Sequence, residues 1–272
     1  MLDAAIESAL DRPVWSALTT GDRRFAEGGA LALRFPRDIA PFGATADESP
    51  EALEALRELV SPEAPVALVG VDKLEPYPGF EVMREAPIIQ MIADGEGPPL
   101  SGMEEPVVLG PADVPEMLRL AKQTNPGPFG PRTQELGQYI GVRVDGGLAA
   151  MAGERMRLDG WVEISAVCVS PGHRGKGYGA FLVSWLVRRL RHEGAAPFLH
   201  VFTDNLSAIA LYQRLGFKAR KTLRLTVLSP ASAPYSRPRL SPGPASASAR
   251  PTSSPRSSIE VCSRTVRSSP FA

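Results

Sequence analysis

The chain has 272 residues, of which 43% are hydrophobic and 22% charged, and its 30 basic residues balance its 30 acidic ones. This composition is ordinary for a soluble globular protein with one sizeable core or two small ones, and the zero formal charge argues against wholesale nucleic-acid binding. The apolar stretches are too short for a bilayer span, and the acidic start "MLDAAIESAL" lacks the basic region of a secretory signal, so we expect a cytoplasmic protein without a membrane partner.

The first third of the chain predicts a small α/β unit. Ser49 as N-cap and Pro50 at the first helical position open a helix rich in Ala, Leu and Glu that runs to about Val60. The run "VALVGV", residues 66–71, is typical of a short buried strand. A Gly/Pro-rich linker, residues 92–102, follows. We therefore predict an N-terminal domain over residues 1–98.

After the linker the pattern becomes regular. "VVLG", residues 107–110, predicts a strand, and residues 111–123 have apolar positions at helical spacing. The stiff loop "NPGPFGPRT", residues 125–133, comes next. Three strand-like runs then follow from Tyr139, separated by turns at residues 145–147 and 158–160, and they predict an antiparallel meander.

The meander leads into the segment "SPGHRGKGYGAFL", in which Gly175, Gly177 and Gly179 alternate with basic and aromatic residues. Pro171 blocks continuation of the strand, and an amphipathic helix begins around Gly177, so the glycines lie at a helix N-terminus. Unpaired amides and the positive end of the helix dipole attract phosphate there, and Arg174 adds charge. The loop therefore predicts a phosphate site.

Two phosphate-binding motifs fit this loop poorly. Gly175, Gly177 and Ala180 satisfy the dinucleotide pattern G-x-G-x-x-A, but five residues separate the strand from the first glycine. The next strand, "FLHVF", has no carboxylate at its tip until Asp204. A P-loop is excluded because Lys176 is followed by glycine rather than Ser or Thr.

The C-terminal segment, residues 229–272, is rich in Ser, Pro, Ala and Arg with no hydrophobic period. Such a segment cannot bury enough apolar surface to offset chain entropy, so we predict a disordered, solvated tail. A basic docking arm and the product of a shifted reading frame are the alternatives. The two cysteines, Cys168 and Cys262, predict free thiols and no metal site.

The run "VCVSPGHRGKGYG" resembles the acyl-CoA-binding motif R/Q-x-x-G-x-G/A of the GNAT superfamily of N-acetyltransferases, here Arg174, Gly177 and Gly179. The segment "DNLSAIALYQRLGF", residues 204–217, is similar to the superfamily's second cofactor segment, in which an Asn opens a helix that carries a Tyr. The wider stretch from Val107 to about Leu228 is similar to the branch that includes the glycine N-acyltransferase-like proteins.

The resemblance implies an α/β fold of the α+β type over residues 103–228, with a mixed, mostly antiparallel sheet and flanking helices. It implies that acetyl-CoA is the acyl donor and that its pantetheine lies beside a splayed strand, with the amide of Val169 near the thioester carbonyl. Asn205 would cap its helix and bond to pantetheine. The expected cofactor-binding residues are Val167, Cys168, Val169, Arg174, Gly175, Lys176, Gly177, Tyr178, Gly179 and Asn205.

Acyl transfer to an amine needs a base and an acid. The resemblance implies that Glu163 is the base, on a strand face it would share with Ser165, Val167 and Val169 because side chains alternate. Tyr212 occupies the place of the family's general-acid tyrosine. The alternatives are that Glu163 is only a solvated or hydrogen-bonded carboxylate of the strand and that Tyr212 only packs in the core. Glu154 is the second candidate for the base, and His200 is a candidate proton relay.

We therefore predict an N-acetyltransferase that acts on a primary amine of a small molecule, amino acid or protein N-terminus, as a monomer or homodimer. The alternative is a non-catalytic acyl-CoA-binding or interaction module. Residues 125–133, Tyr139 and the first meander would form the acceptor side, and a face of the N-terminal unit is a further candidate. The sequence does not specify the acceptor.

Overall fold

The structure, a computed structural model, describes residues 9–70, 77–95 and 103–231. Some predictions fall wholly or partly outside the described residues: residues 96–102 of the linker, residue 71 at the end of the predicted strand, Cys262, and the tail beyond Ala231. The linker predicted from residue 92 begins too early, because β5 extends to Ala93.

The helices and strands alternate along most of the chain. The helices are α1 (Pro13–Thr19), α2 (Pro50–Glu58), α3 (Val114–Thr124), α4 (Tyr178–His192) and α5 (Leu206–Arg214). The strands are β1 (Glu27–Gly28), β2 (Ala32–Arg34), β3 (Gly43–Thr45), β4 (Val66–Gly70), β5 (Phe80–Ala93), β6 (Val107–Leu109), β7 (Tyr139–Val144), β8 (Gly147–Leu158), β9 (Trp161–Val169), β10 (Ala196–Phe202) and β11 (Phe217–Pro230).

An eight-stranded sheet forms the centre of the fold, in the order β4-β11-β5-β10-β9-β8-β7-β6. Its neighbouring strands are antiparallel except β9 and β10, which run parallel. A smaller sheet, β1-β2-β3, comes from the N-terminal part of the chain. The predicted fold class, a mixed and mostly antiparallel sheet with flanking helices, is confirmed.

The sheet crosses the predicted domain division near residue 98. Strand β5 precedes that division, yet it lies between β10 and β11, and Ile88–Ile92 pair with Phe198–Phe202. Strand β4 likewise pairs with β11 at the edge of the same sheet. The N-terminal part of the chain therefore completes the central sheet, and a boundary at residue 98 divides one sheet between two units.

Several local predictions are confirmed. The Ser49 hydroxyl accepts a hydrogen bond from the amide of Ala52 at 3.2 Å, which caps α2 as predicted. The meander strands β7, β8 and β9 form with turns at the expected places. The predicted tail boundary is two residues early, because β11 extends to Pro230 and that residue still pairs with Phe80.

The sheet has a core on each face. On one face α4 and α5 pack against β9 and β10, and this core includes Leu182, Leu186, Leu190, Val162, Ile164, Leu199 and Tyr212. On the other face α1 and the β2–β3 region pack against the sheet, and this core includes Val14, Leu18, Phe35, Phe42, Met156, Trp161 and Phe198. Glu163 and His200 belong to this second face.

Asp22 joins the N-terminal segment to the sheet. Its side chain is 2% exposed, and its carboxylate accepts the amide hydrogen of Arg157 on β8 at 2.9 Å. Burial raises the pKa of Asp22 to about 7. The folded state therefore takes up a proton that the unfolded state releases, and this carboxyl's contribution to stability falls as the pH rises from about 4 to 7.

We expect Asp22→Asn to raise the free energy of unfolding. The amide oxygen can still accept from Arg157, and no charge is buried at high pH. The gain should grow between about pH 4 and pH 7, reach at most about 4 kcal/mol, and then level off. Urea unfolding across this pH range measures it. The exposed turn residue Asp159, changed to Asn, is the control, and a gain that does not depend on pH would contradict the argument.

Candidate active site

Strands β9 and β10 separate after a short stretch of parallel pairing. They pair only where Trp161–Glu163 meets Ala196–Phe198. Ala166 has φ of +52°, and the register of β9 against β8 shifts at this point, which are the marks of a β-bulge. The C-terminal half of β9 therefore borders an open gap, and the predicted splay is confirmed.

The backbone of β9 presents two amides to this gap. Ser170 donates its amide hydrogen to Ala149 on the β8 side. Successive residues of a strand direct their backbone groups to opposite sides, so the amides of Val167 and Val169 face away from β8. The backbone of Cys168 faces its partner Met151 instead. Only two of the three expected pantetheine partners thus offer an amide to the gap.

The bulge also corrects the predicted strand face. The side chains of Val167 and Val169 lie beside Gly179 on α4. Glu163 lies on the opposite face, where it meets Arg155 and His200. The alternation assumed from the sequence fails because the extra residue at Ala166 reverses the phase of the side chains.

The glycine loop forms as the sequence predicts. Gly175 and Gly177 have φ of +78° and +84°, a conformation that favours glycine, and α4 begins at Tyr178. The loop is exposed, including the side chains of Arg174 and Lys176. The amides of the first helical turn have no acceptor within the helix, so the loop can receive an anion.

A cavity of about 290 Å³ adjoins the gap. Ser165, Val167, Asn205 and Tyr212 line it on the side of β9 and α5. Asn125–Pro128, Arg155 and residues of the N-terminal part, including Phe42 and Arg84, line the opposite side. The beginning of the predicted acceptor loop thus contributes to the cavity. Tyr139 does not line it, because its ring is 1% exposed and packs edge-on against Phe129.

Tyr212 lies where β9 and α5 meet. The residue is 9% exposed, and its ring centroid is 5.8 Å from that of Phe217. Burial, with a smaller contribution from Cys168, raises the pKa of Tyr212 to about 12, so the phenol keeps its proton at neutral pH. Asn205 caps α5 by accepting the amide hydrogen of Ala208 at 3.2 Å, which confirms its predicted capping role.

Glu163 is fully buried between Arg155 and His200. Arg155 binds both of its carboxylate oxygens through Nε and Nη2, at 2.9 and 2.5 Å, and Nδ1 of His200 lies 2.8 Å from Oε1. Burial acts to raise the pKa of Glu163, but these partners overcome it and lower the pKa to about 2. Glu163 does not line the cavity. This geometry does not support Glu163 as a direct base.

The second candidate base and the candidate proton relay are also engaged. Glu154 is buried and holds the guanidinium groups of Arg157 and Arg189, outside the cavity. His200 borders the cavity, but its Nδ1 binds Glu163 and its Nε2 lies 3.1 Å from Nε2 of Gln90. The side-chain nitrogen of Gln90 is a donor, and it also binds the carbonyl of Leu10. We therefore assign Nε2 of His200 as an acceptor and Nδ1 of His200 as the donor.

Within the described residues, no group of three or more His, Cys, Asp or Glu side chains is arranged to hold a metal ion. None of the helices described is long and apolar enough to cross a membrane.

The chain is similar in sequence and in structure to known proteins. The FR47-like protein family matches residues 139–225, which include β9, the glycine loop and α5. A solved GNAT-family structure from Novosphingobium aromaticivorans is 40% identical, with a TM-score of 0.75, over 82% of this chain and 99% of its own.

Two curated relatives carry named activities. The N-alpha-acetyltransferase RimI of Mycobacterium tuberculosis is 33% identical over 42% of this chain and 80% of its own length. The streptothricin acetyltransferase of Streptomyces lavendulae is 36% identical over 29% of this chain and 43% of its own length. Three of the curated relatives, including the last, are matched over less than half of their own length.

Proposed function

We propose, because the chain belongs to the GNAT family of acetyltransferases, that it transfers the acetyl group of acetyl-CoA to a primary amine. One observation carries the proposal: the gap beside β9 connects the exposed glycine loop at the start of α4 with the cavity that Tyr212 lines. A donor held along this gap would place its acyl end where an amine can enter. Assignment to the glycine N-acyltransferase-like branch and a cytoplasmic location stay predictions.

The loop and the gap suit a CoA thioester. The amides from Arg174 to Gly179 would bind the pyrophosphate, with Arg174 and Lys176 adding charge. The amides of Val167 and Val169 would bind pantetheine and the thioester carbonyl. An amide at Val169 that faces the gap is placed to stabilise the negative charge that develops on that oxygen during attack.

Tyr212 would return a proton to the leaving thiolate. With a pKa of about 12 the phenol carries its proton at neutral pH, and Tyr212 lines the cavity on the α5 side. Because a thiol has a pKa of about 8.5, its thiolate is a weaker base than the phenolate, so the transfer depends on the position of the phenol beside the sulfur rather than on a matched pKa.

The amine must also lose a proton before or during attack. Among the cavity-lining residues that the structure describes, none is Asp or Glu, and both nitrogens of His200 are engaged. We infer that water takes this proton. Glu163 then has a positioning role, because it fixes Arg155 and His200 at the cavity wall.

The proposal predicts release of free thiol when the protein is mixed with acetyl-CoA and a pool of primary amines, amino acids and short peptides. Mass spectrometry should detect an acceptor that has gained one acetyl group. Incubation without an acceptor measures background hydrolysis. Calorimetric binding of acetyl-CoA without thiol release for any acceptor would favour the alternative, a non-catalytic acyl-CoA-binding module.

A further inference from the structure

The cavity is cationic on its acceptor side. Arg155 from β8 and Arg84 from β5 both line it, and within the part of the chain that the structure describes no carboxylate side chain does. The cofactor's phosphates would bind at the glycine loop, at the other end of the gap. These two arginines are therefore available to the acceptor.

Arg155 is held rigidly with one edge toward the cavity. It is 9% exposed, and its guanidinium carbon lies 4.9 Å from the ring centroid of Phe42. Glu163 takes Nε and Nη2, which leaves Nη1 for another acceptor. Nη1 lies 4.0 Å from the point that a Cβ on Gly127 would occupy, so it faces the loop at the cavity rim.

The charge of Arg84 adds to that of Arg155. Its guanidinium carbon lies 5.1 Å from the ring centroid of Phe202, which also lines the cavity. The neighbouring acidic residue, Glu85, pairs with Arg224. Because Glu163 balances Arg155, Arg84 gives the acceptor side a net positive charge.

We propose that Arg155 and Arg84 bind a carboxylate of the acceptor, so that the substrate is an amine carrying a carboxylate close by, as in a free amino acid. This inference rests on the proposed function, because it names the substrate class of the same site. A guanidinium edge matches a carboxylate geometrically, and the partly enclosed cavity strengthens the pairing. Polyamines and other polycations would meet the net positive charge of Arg84 and, among the described residues that line the cavity, no carboxylate.

The test compares each amino acid with its own amide. The full chain is titrated calorimetrically, with free CoA present, with alanine and alaninamide and with phenylalanine and phenylalaninamide. We expect each acid to bind about 10- to 100-fold more tightly than its amide, the range for a charge-assisted hydrogen bond. A dipeptide and a linear alkyl diamine extend the series, and both should bind more weakly than the free acid.

Two variants test whether Arg84 and Arg155 produce the preference for the free acid over its amide. Arg84→Gln removes a half-buried charge and should reduce the acid-to-amide ratio several-fold. Arg155→Lys, made alone, keeps the ion pair with Glu163. Its single ammonium replaces the free guanidinium edge, so this variant should lose most of the acid-to-amide affinity ratio that does not depend on Arg84. Thermal midpoints show whether each variant is folded. If Arg155→Lys does not fold, the Arg84→Gln ratio decides.

Equal binding of acids and amides by the wild-type protein would overturn the inference, as would an unchanged ratio in the folded variants. Tighter binding of the dipeptide would overturn it in favour of a peptide N-terminus. Because binding is measured without turnover, these outcomes are separate from the proposed function. A clear acid preference without thiol release from any acceptor would contradict catalysis alone.

Discussion

Replacing Tyr212 with Phe should lower turnover by roughly two to four powers of ten and leave the affinity for acetyl-CoA unchanged. Phenylalanine keeps the ring, its packing against Phe217 and its burial, and it removes the proton that the thiolate would receive. The loss should appear in kcat, because the hydroxyl acts on the reacting atoms rather than on the bound ground state. Single-turnover kinetics measure the chemical step directly.

A matched control is Tyr77→Phe. Tyr77 is also buried, and its hydroxyl lies 3.5 Å from Oγ1 of Thr226, away from the cavity. Tyr77→Phe removes a buried phenolic hydroxyl just as Tyr212→Phe does, so the control should affect stability but not the chemical step. If Tyr212→Phe turns over as fast as the wild type while chemistry limits the rate, Tyr212 is a packing residue and the leaving thiolate needs no protein acid.

Local features of the site could be predicted from the sequence because they depend on neighbouring residues. Pro171 ends β9, Gly177 adopts a left-handed conformation before α4, and Asn205 caps α5. Each of these outcomes follows from the conformational preference of one residue type in a short segment. The order of strand, loop and helix that forms the proposed phosphate site was therefore predictable.

The position of β5 was not predictable from local pattern. Its run "FEVMREAPIIQMIA" contains Pro87, which normally argues against a central strand. The structure accommodates this proline because pairing with β10 begins at Ile88, one residue further along. The choice of β5, rather than a later segment, as the strand between β10 and β11 depends on contacts distant in sequence.

The environment of Glu163 shows a second limit. Simple alternation along β9 places Glu163 on the face of Val167 and Val169, but one extra residue at Ala166 separates them. Nothing in the run "EISAVCV" marks a bulge, since alanine seldom adopts a positive φ. The partner of Glu163, Arg155, is one of three charged residues in β8, with Glu154 and Arg157, and nothing in the sequence marks it as the one that pairs with Glu163.

Changing Gly177 to Asp should weaken acetyl-CoA binding by roughly 100-fold while the fold persists. The new carboxylate would stand at the N-terminus of α4, where the pyrophosphate is proposed to bind, and two like charges a few ångströms apart repel by up to about 4 kcal/mol near a protein surface. The fold should persist, because Asp is among the residues that tolerate a positive φ at a single position. Among the described residues, a Cβ at this position meets only the flexible tip of Met103, at 3.3 Å. Calorimetry gives the affinity, and circular dichroism checks the fold.

Gly177→Asn is the matched control, because Asn has nearly the same shape as Asp and tolerates a positive φ about as well, but it carries no charge. Strain at φ of +84° should therefore affect both variants equally, and the difference between them reports the charge alone. We expect Asn to lose less than about tenfold in affinity, and we expect the gap between Asp and Asn to narrow as salt screens the repulsion. Equal affinities for the two variants at low salt would mean that no phosphate lies near Gly177. Because the pantetheine gap would be unaffected in that case, acetyl-CoA would have to place its pyrophosphate elsewhere on the protein.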